Sequence, residues 1–410
     1  MTAPWEHRYP EGWRIAPLSA VVRETRARNK GLIEKNLLSL SYGSIVRRDI
    51  DSVDGLVPAS YETYQIVEPG QVVLRMTDLQ NDMRSLRSGA VAERGIITSA
   101  YIAIEPVGVM PAYLAWLLRG YDHMKVFYSF GGGVRQSLTF ADLKRLPTVL
   151  PPEGTQWRIA DYLDRETATI DALIEKQNEL LLLLRERRSQ LPTRVLSDVA
   201  GTRRQLRHVV AEITDCPHWT PEQANSFDYA AVRSGSIRNG MYRHSASVPV
   251  DQETFIARHG ARVVPGNVLF AREAPAGEAC LVPDDFQLCL GQRTVLIECD
   301  SKKLLPELVV ANIYTRGVQD YFANASFGST VANVRLPVLR ATRVIVPPLD
   351  EQREIADHLD RETAKIDALI AKAERFIELA QERRAALITA AVTGQIDIPD
   401  TLPRETDQEQ

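Results

Sequence analysis

Cysteine, lysine and long apolar runs are all scarce in this chain, and each scarcity excludes something. Its 410 residues hold 4 cysteines, at Cys216, Cys280, Cys289 and Cys299. No two of them are spaced as CxxC, and none stands at ligand spacing from His208, His218 or His244. A disulfide scaffold and a zinc site are therefore set aside. Reduced thiols in a cytoplasmic chain are the expectation, with no metal and no cofactor. No stretch is long and apolar enough to span a membrane. The first residues, MTAPWEHRYPEGW, lack the apolar core of a signal peptide.

Positive charge is also short. The net charge is -4, which excludes a uniformly basic surface but not a local one. Only nine of the 49 Lys+Arg residues are lysines. Arginine forks suit phosphate and guanine, although a coding bias toward arginine would give the same skew.

What the chain does have is a long internal repeat. Residues 151–176 read PPEGTQWRIADYLDRETATIDALIEK and residues 347–372 read PPLDEQREIADHLDRETAKIDALIAK, an offset of 196 with about 18 of 26 positions identical. Solenoid units are about 20–50 residues long and need three or more copies. A period near half the chain means a duplicated domain instead. Leu163, Ile170, Leu184 and Leu191 fall in one heptad row. Leu359, Ile366, Ala373, Ala380 and Leu387 repeat it. Rows sustained over several heptads argue for a coiled-coil seam. An ordinary amphipathic helix would not explain why the surface positions repeat as well. Pro-Pro suits the start of each helix, and Asp350 reads as an N-cap. Pro192, where the second copy has Ile388, predicts a kink or an end in the first helix.

Residues 1–150 form one module in which short strands and helices mix without βαβ alternation, so the fold class is α+β. Val67–Met76 is a turn followed by a strand. Arg84–Gly95 reads as a polar, arginine-rich loop, Gly95–Ile104 as a strand, and Pro111–Tyr121 as a helix. Residues 201–346 replay that order with different loops. Domain boundaries follow at 1–150, 151–200 (central helix), 201–346, 347–396 (distal helix) and 397–410, a polar, acidic and disordered tail.

With module, helix, module and helix in that order, the chain resembles the specificity subunit of type I restriction-modification systems. The second copy carries the family's helix motif most fully, in Pro347-Pro348, Glu351-Gln352, Ile355-Ala356, Leu359-Asp360, Thr363, Ile366-Asp367 and Leu369-Ile370. The first copy departs from it at Gly154, Thr155 and Trp157. GSIVRRD and the PGxVVLRMxDLQND segment also look like target-recognition domains. The resemblance implies two such domains in a pseudo-two-fold arrangement, each gripping one half of a split double-stranded DNA sequence. It implies two antiparallel coiled-coil helices acting as a ruler and docking two modification (methyltransferase) subunits, with restriction motor-nuclease subunits completing the complex. A helix of about 35 residues spans roughly 50 Å, on the order of 15 base pairs.

Candidate DNA contacts are Arg47, Arg48, Arg75, Arg84 and Arg87 in the first module, and Arg233, Arg238, Arg243 and Arg272 in the second. The seam candidates are Leu163, Ile170, Leu184, Leu359, Ile366 and Leu387. No catalytic role is assigned. Leu150 and Val346 precede the Pro-Pro pairs where a methyltransferase would need Asn or Asp, and no aromatic follows them. Gly131–Gly133 leads into Val134-Arg135-Gln136 and is a turn rather than a phosphate loop. A coiled-coil scaffold with no DNA role is the alternative.

Overall fold

The computed structural model describes residues 9–51, 60–82, 84–129, 137–326 and 332–398. The turn at Gly131–Gly133 and most of the acidic tail lie outside these. The chain divides into two compact units, Met1–Gln177 with Arg375–Gln410, and Asn178–Glu374.

The first unit is built on a four-stranded antiparallel sheet, in the order Val22–Thr25, Ile102–Pro106, Val72–Leu74, Ser88–Ala90. Its two central strands carry the continuous apolar runs Val72–Leu74 and 102–104 because both faces are covered there. Val72, Leu74, Ile102 and Ile104 face a core shared with Tyr113, Leu114, Leu117 and Leu118 of the helix Pro111–His123. The alternate residues Val73 and Ala103 face Leu38, Val67 and Ile97 of a second sheet. That sheet runs Ser44–Arg48, Leu37–Ser41, Gly95–Ile97, Gln65–Val67. Each fully buried Leu, Ile or Val contributes roughly 1.5–3 kcal/mol.

The second unit repeats this framework. Its four-stranded sheet runs Val210–Asp215, Thr294–Cys299, Val268–Ala271, Glu278–Leu281. Val268, Phe270, Val295 and Ile297 face the core under the helix Pro306–Ile313. Leu269, Ala271 and Leu296 face the other way, toward Ala230, Val232, Leu288 and Leu290. The second sheet differs between units. Here it has three strands, Val248–Val250, Tyr229–Val232 and Leu288–Leu290, beside a separate hairpin, Ile237–Arg238 with Met241–Tyr242.

Two local expectations are corrected. The Arg84–Gly95 stretch contains a strand, Ser88–Ala90, paired with Val72–Leu74. The apolar run from Gly95 to Ile104 is two strands in two sheets, because a turn closed by Tyr101 N–H on Thr98 O (3.1 Å) breaks it. Periodicity alone gives no sign of that change of sheet.

The two long helices are Glu153–Ser197 and Leu349–Val392. The first runs on through Pro192 to Ser197, so the proline does not end it. Asp350 lies inside the first turn of the second rather than capping it, where its charge still favours the helix dipole. Each unit contains one half of each helix, and within each unit the halves run antiparallel. In the second unit Arg185 meets Glu374 (2.9 Å) and Arg188 meets Asp367 (2.5 Å). In the first, Arg384 Nη2 donates to Asp171 Oδ2 (3.1 Å), with Nε 2.8 Å from Oδ1 but not aligned to donate. Leu163, Ile170, Leu184, Leu359 and Ile366 are buried. Leu387 is partly buried against the first unit's core.

The repeated glutamine of the helix motif has a structural role in both units. Gln156 is buried. Its Oε1 accepts from Met110 N–H (2.9 Å), and its Nε2 donates to Pro151 O (3.0 Å). Gln352 does the same with Leu305 N–H (2.9 Å) and Pro347 O (3.1 Å), and adds Lys303 O (2.9 Å). Met110 and Leu305 are the N-cap residues of the two module helices. The glutamine therefore satisfies the N-cap backbone donor at the start of each module helix. Gly120 marks another close approach: a Cβ there would lie 2.6 Å from Val392 Cγ2.

Candidate nucleic-acid interface

In the first unit the arginines sit on the second sheet and on the segment after the strand Val72–Leu74. Arg47 and Arg48 end the edge strand opposite Leu38 and Leu37. Both are exposed, and Arg47 is ion-paired with Glu93. The hairpin carrying them turns at Tyr42-Gly43, both with positive φ (45° and 84°). Arg119 donates to Gly43 O and to Ser88 O (2.6 Å), tying the hairpin to the module helix. Arg84 is exposed and Arg75 half-buried.

Arg87 departs from its expected role. It is 0% exposed, so its side chain offers DNA no surface. Its guanidinium donates to the carbonyls of Thr77 (2.9 Å), Asp78 (3.3 Å) and Asp82, and to Tyr128 Oη (3.3 Å). It holds in shape the segment that presents Arg84. Arg272 is also structural. Its Nη1 binds both Asp215 oxygens (2.9 and 2.8 Å), and its Nε donates to Val334 O (3.2 Å). Sequence alone does not separate such arginines from exposed ones, since burial depends on the surrounding fold.

Below this surface lies a buried polar group. Asp122 Oδ2 accepts from Arg87 N–H and Ser88 N–H (3.0 Å). Burial raises its carboxyl to about 6 despite those bonds and nearby Arg119. Burial, reinforced by Arg119, Arg384 and Lys125, lowers the next residue, His123, to about 4.

In the second unit Arg233 and Arg243 are exposed and Arg238 is half-buried. Arg238 belongs to the hairpin whose Asn239-Gly240 turn has the positive φ values (52° and 83°) of a tight hairpin. Gly240 N–H donates to Tyr314 Oη (2.8 Å), and Tyr314 Oη donates to Glu278 Oε2 (2.7 Å). Beside it His244 stacks on Phe286 (4.1 Å between centroids), with Phe227 5.1 Å away. Tyr242 Oη lies 3.1 Å from His244 Nδ1. Sequence reading missed this aromatic cluster, because its members come from three separated segments.

Among the described residues no group of three or more His, Cys, Asp or Glu is placed to hold a metal. All four cysteines are free thiols. Burial pushes Cys280, Cys289 and Cys299 up to about 12. No described helix is long and apolar enough to cross a membrane.

The type I restriction modification DNA specificity domain, as a family model, matches residues 210–378. The type I restriction enzyme MjaX specificity subunit of Methanocaldococcus jannaschii is 24% identical over 311 residues, 71% of this chain and 69% of that protein. These matches, with those that follow, indicate a type I restriction-modification specificity subunit. The EcoBI specificity subunit of Escherichia coli is 36% identical over 78 residues, 19% of this chain and 16% of that protein. Among solved structures, a chain from a study of complex assembly and conformational transition of the type I R-M system has a TM-score of 0.66. It is 16% identical and covers 95% of this chain and 100% of that one. The HsdS subunit of Thermoanaerobacter tengcongensis has a TM-score of 0.50 at 16% identity, covering 95% of this chain and 99% of that one. At such identities the likeness is one of fold.

The chain also leaves apolar side chains exposed on its long helices, at positions that correspond across the repeat. Leu173 matches Leu369, Leu180 matches Phe376 and Leu183 matches Leu379, and all six are exposed. Isolated exposed leucines need no explanation, but three matched pairs do.

Proposed function

We propose that the two modules of this subunit each read one half of a bipartite duplex DNA target, and that the paired long helices set the spacer between the halves. The observation that carries this reading is that one framework sheet occurs twice while the second sheet beside it differs. A shared scaffold with divergent reading surfaces suits an asymmetric target. Arg47, Arg48, Arg75, Arg84, Arg233, Arg238 and Arg243 are the proposed contacts. Some would position the module on phosphates and others would read base edges.

The helix pair is the proposed coiled-coil ruler. A 45-residue helix is about 68 Å long at 1.5 Å per residue, room for two short half-sites and an unread gap. The matched exposed residues Leu173/Leu369, Leu180/Phe376 and Leu183/Leu379 are the proposed docking positions for two modification subunits. Those subunits would carry the methyl transfer, and motor-nuclease subunits would add cleavage; this chain has no catalytic part in the scheme.

The test is a methylation map of the source genome with the gene intact and deleted. Loss of adenine methylation at one asymmetric split motif on deletion is the expected result. If co-expression with the neighbouring methyltransferase also yields no such motif, the chain is a scaffold without a DNA role.

A further inference from the structure

We infer that in each unit the loop crossing from the framework sheet to the second sheet is a wedge, inserting an apolar side chain between stacked base pairs and kinking the duplex. The inference rests on the DNA-reading function proposed above and adds a mechanism of recognition to it.

In the first unit this loop joins the strand Val22–Thr25 to the strand Leu37–Ser41. Its tip carries Leu32, 47% exposed, and Ile33, 70% exposed. Apolar side chains at a loop tip would ordinarily fold inward. These are held outward by Asn29, which is 0% exposed. Asn29 Nδ2 donates to Glu34 O (2.9 Å), and its Oδ1 accepts from Glu34 N–H (3.0 Å), closing the loop across its neck. Glu62 Oε1 accepts from Gly31 N–H (2.9 Å). Gly31 and Leu32 both have positive φ, 73° and 52°, a conformation leucine adopts only when its surroundings impose it.

The electrostatics name the partner. Arg28, Lys30, Lys35 and Arg48 are exposed and make no ion pair among the described residues. Two acids stand by the tip: Glu34 is bound to Arg94 (3.1 Å), and Glu62 is held on Gly31 N–H (2.9 Å). An apolar point flanked along the chain by uncommitted cations fits a phosphate-walled groove. A protein-docking surface would be a broader apolar patch. Leucine and isoleucine are among the side chains that unstack base steps, bending DNA by roughly 20–90°.

The second unit has a loop at the same place in its topology, between Val210–Asp215 and Tyr229–Val232. It shares no sequence with the first. Its exposed apolar residues are Trp219, 46% exposed, and Phe227, 49% exposed; Phe227 lies against His244, and Trp219 is clamped by Arg258, 0% exposed. Arg258 Nη1 donates to Trp219 O (2.9 Å), and its Nη2 to Pro217 O (3.4 Å). Its guanidinium carbon lies 4.5 Å from the Trp219 ring centroid, and Nε anchors the group to Leu290 O (2.7 Å). In both units a buried polar side chain thus fixes the backbone at or next to a part-exposed apolar residue at the same topological point, by different means, although the Trp219 ring also packs on its clamp.

The experiment uses the subunit assembled with its modification subunits, on a duplex bearing the target read from the methylation map. 2-Aminopurine is placed at successive steps of each half-site, and the duplex ends carry a fluorescence-transfer pair. Wild type is expected to unstack one step in each half-site and to shorten the end-to-end distance. Leu32→Ser with Ile33→Ser should abolish unstacking in one half-site and weaken target binding roughly tenfold, leaving binding to unrelated duplex unchanged. Trp219→Ala should abolish it in the other. Both changes are at solvent-exposed side chains, and an unchanged melting temperature checks that folding is intact. A wild-type complex that prefers its target but unstacks no base, or variants that unstack and bend as wild type does, would overturn the wedge alone. A wild-type complex with no preference for the target would overturn the DNA-reading function as well.

Discussion

Arg188 binds Asp367 through Nε to Oδ1 (2.5 Å) and Nη2 to Oδ2 (3.1 Å). Each partner has a counterpart 196 residues away, Arg384 and Asp171, and those two pair as well. The repeated sequence thus meets itself head to tail, with the same acid taking the same base in each unit. Partly exposed pairs of this kind contribute only about 0.2–1 kcal/mol each, so their main effect is on helix register. Arg188→Asp should lower stability, and adding Asp367→Arg should restore it in part. A double-mutant cycle by urea denaturation checks this, with the coupling shrinking at high salt.

Gln156 and Gln352 should be far more sensitive. Gln352→Ala removes the acceptor of Leu305 N–H and leaves that donor facing apolar surroundings. The expected loss is about 1–3 kcal/mol, and the same holds for Gln156→Ala. Replacement by Glu should not rescue either, since Nε2 donates to backbone carbonyls in both. Chemical denaturation of the purified chain decides it.

Arg87 and Arg48 should separate cleanly. Arg87→Ala strands several carbonyls at once. It should destabilise the first module by roughly 2–5 kcal/mol and weaken binding to every sequence alike. Arg48→Ala should leave stability within about 0.5 kcal/mol and either relax one base of one half-site or, as a phosphate contact, lower affinity uniformly with a smaller salt slope. Thermal melts beside a methylation map distinguish these outcomes.

Acid should act on the first unit through two opposed groups. His123 is lowered from 6.5 to about 4, so its share of stability is present above pH 6.5 and lost as pH falls through about 4. Asp122 is raised from 3.8 to about 6, so its share is present below pH 3.8 and lost as pH rises through about 6. His123→Leu removes the first term. The variant should therefore lose less melting temperature than wild type on going from pH 7 to pH 5, by calorimetry.

A heptad inserted into both helices, after Gln177 and after Glu374, leaves both Arg–Asp pairs intact, because each pair lies wholly on one side of the insertions. It adds about 10 Å of helix. The methylated motif should keep both half-sites and gain spacer. An unchanged spacer would show that the helices do not measure it.

The duplication, the two helices and the α+β character were legible in the sequence because they are periodic signals that span many residues. Leu163, Ile170, Leu184, Leu359 and Ile366 are buried. What local pattern could not carry was three-dimensional. The strand Ser88–Ala90 lay hidden in a polar stretch because its pairing partner, Val72–Leu74, supplies the regularity. Arg87 and Arg272 looked like the other arginines because burial is a property of the surroundings. Pro192 was expected to break a helix that in fact continues to Ser197.

The antiparallel pairing of Arg14–Pro17 with Pro147–Leu150 and of Thr202–Gln205 with Arg343–Val346 has one more consequence. In each unit the module opens and closes on two strands lying side by side, the closing one leading into a long helix. Everything that distinguishes one module from the other is enclosed between them. Such a fitting works like a lamp socket. The contents could be exchanged at those two strands while the helices and their register stay as they were.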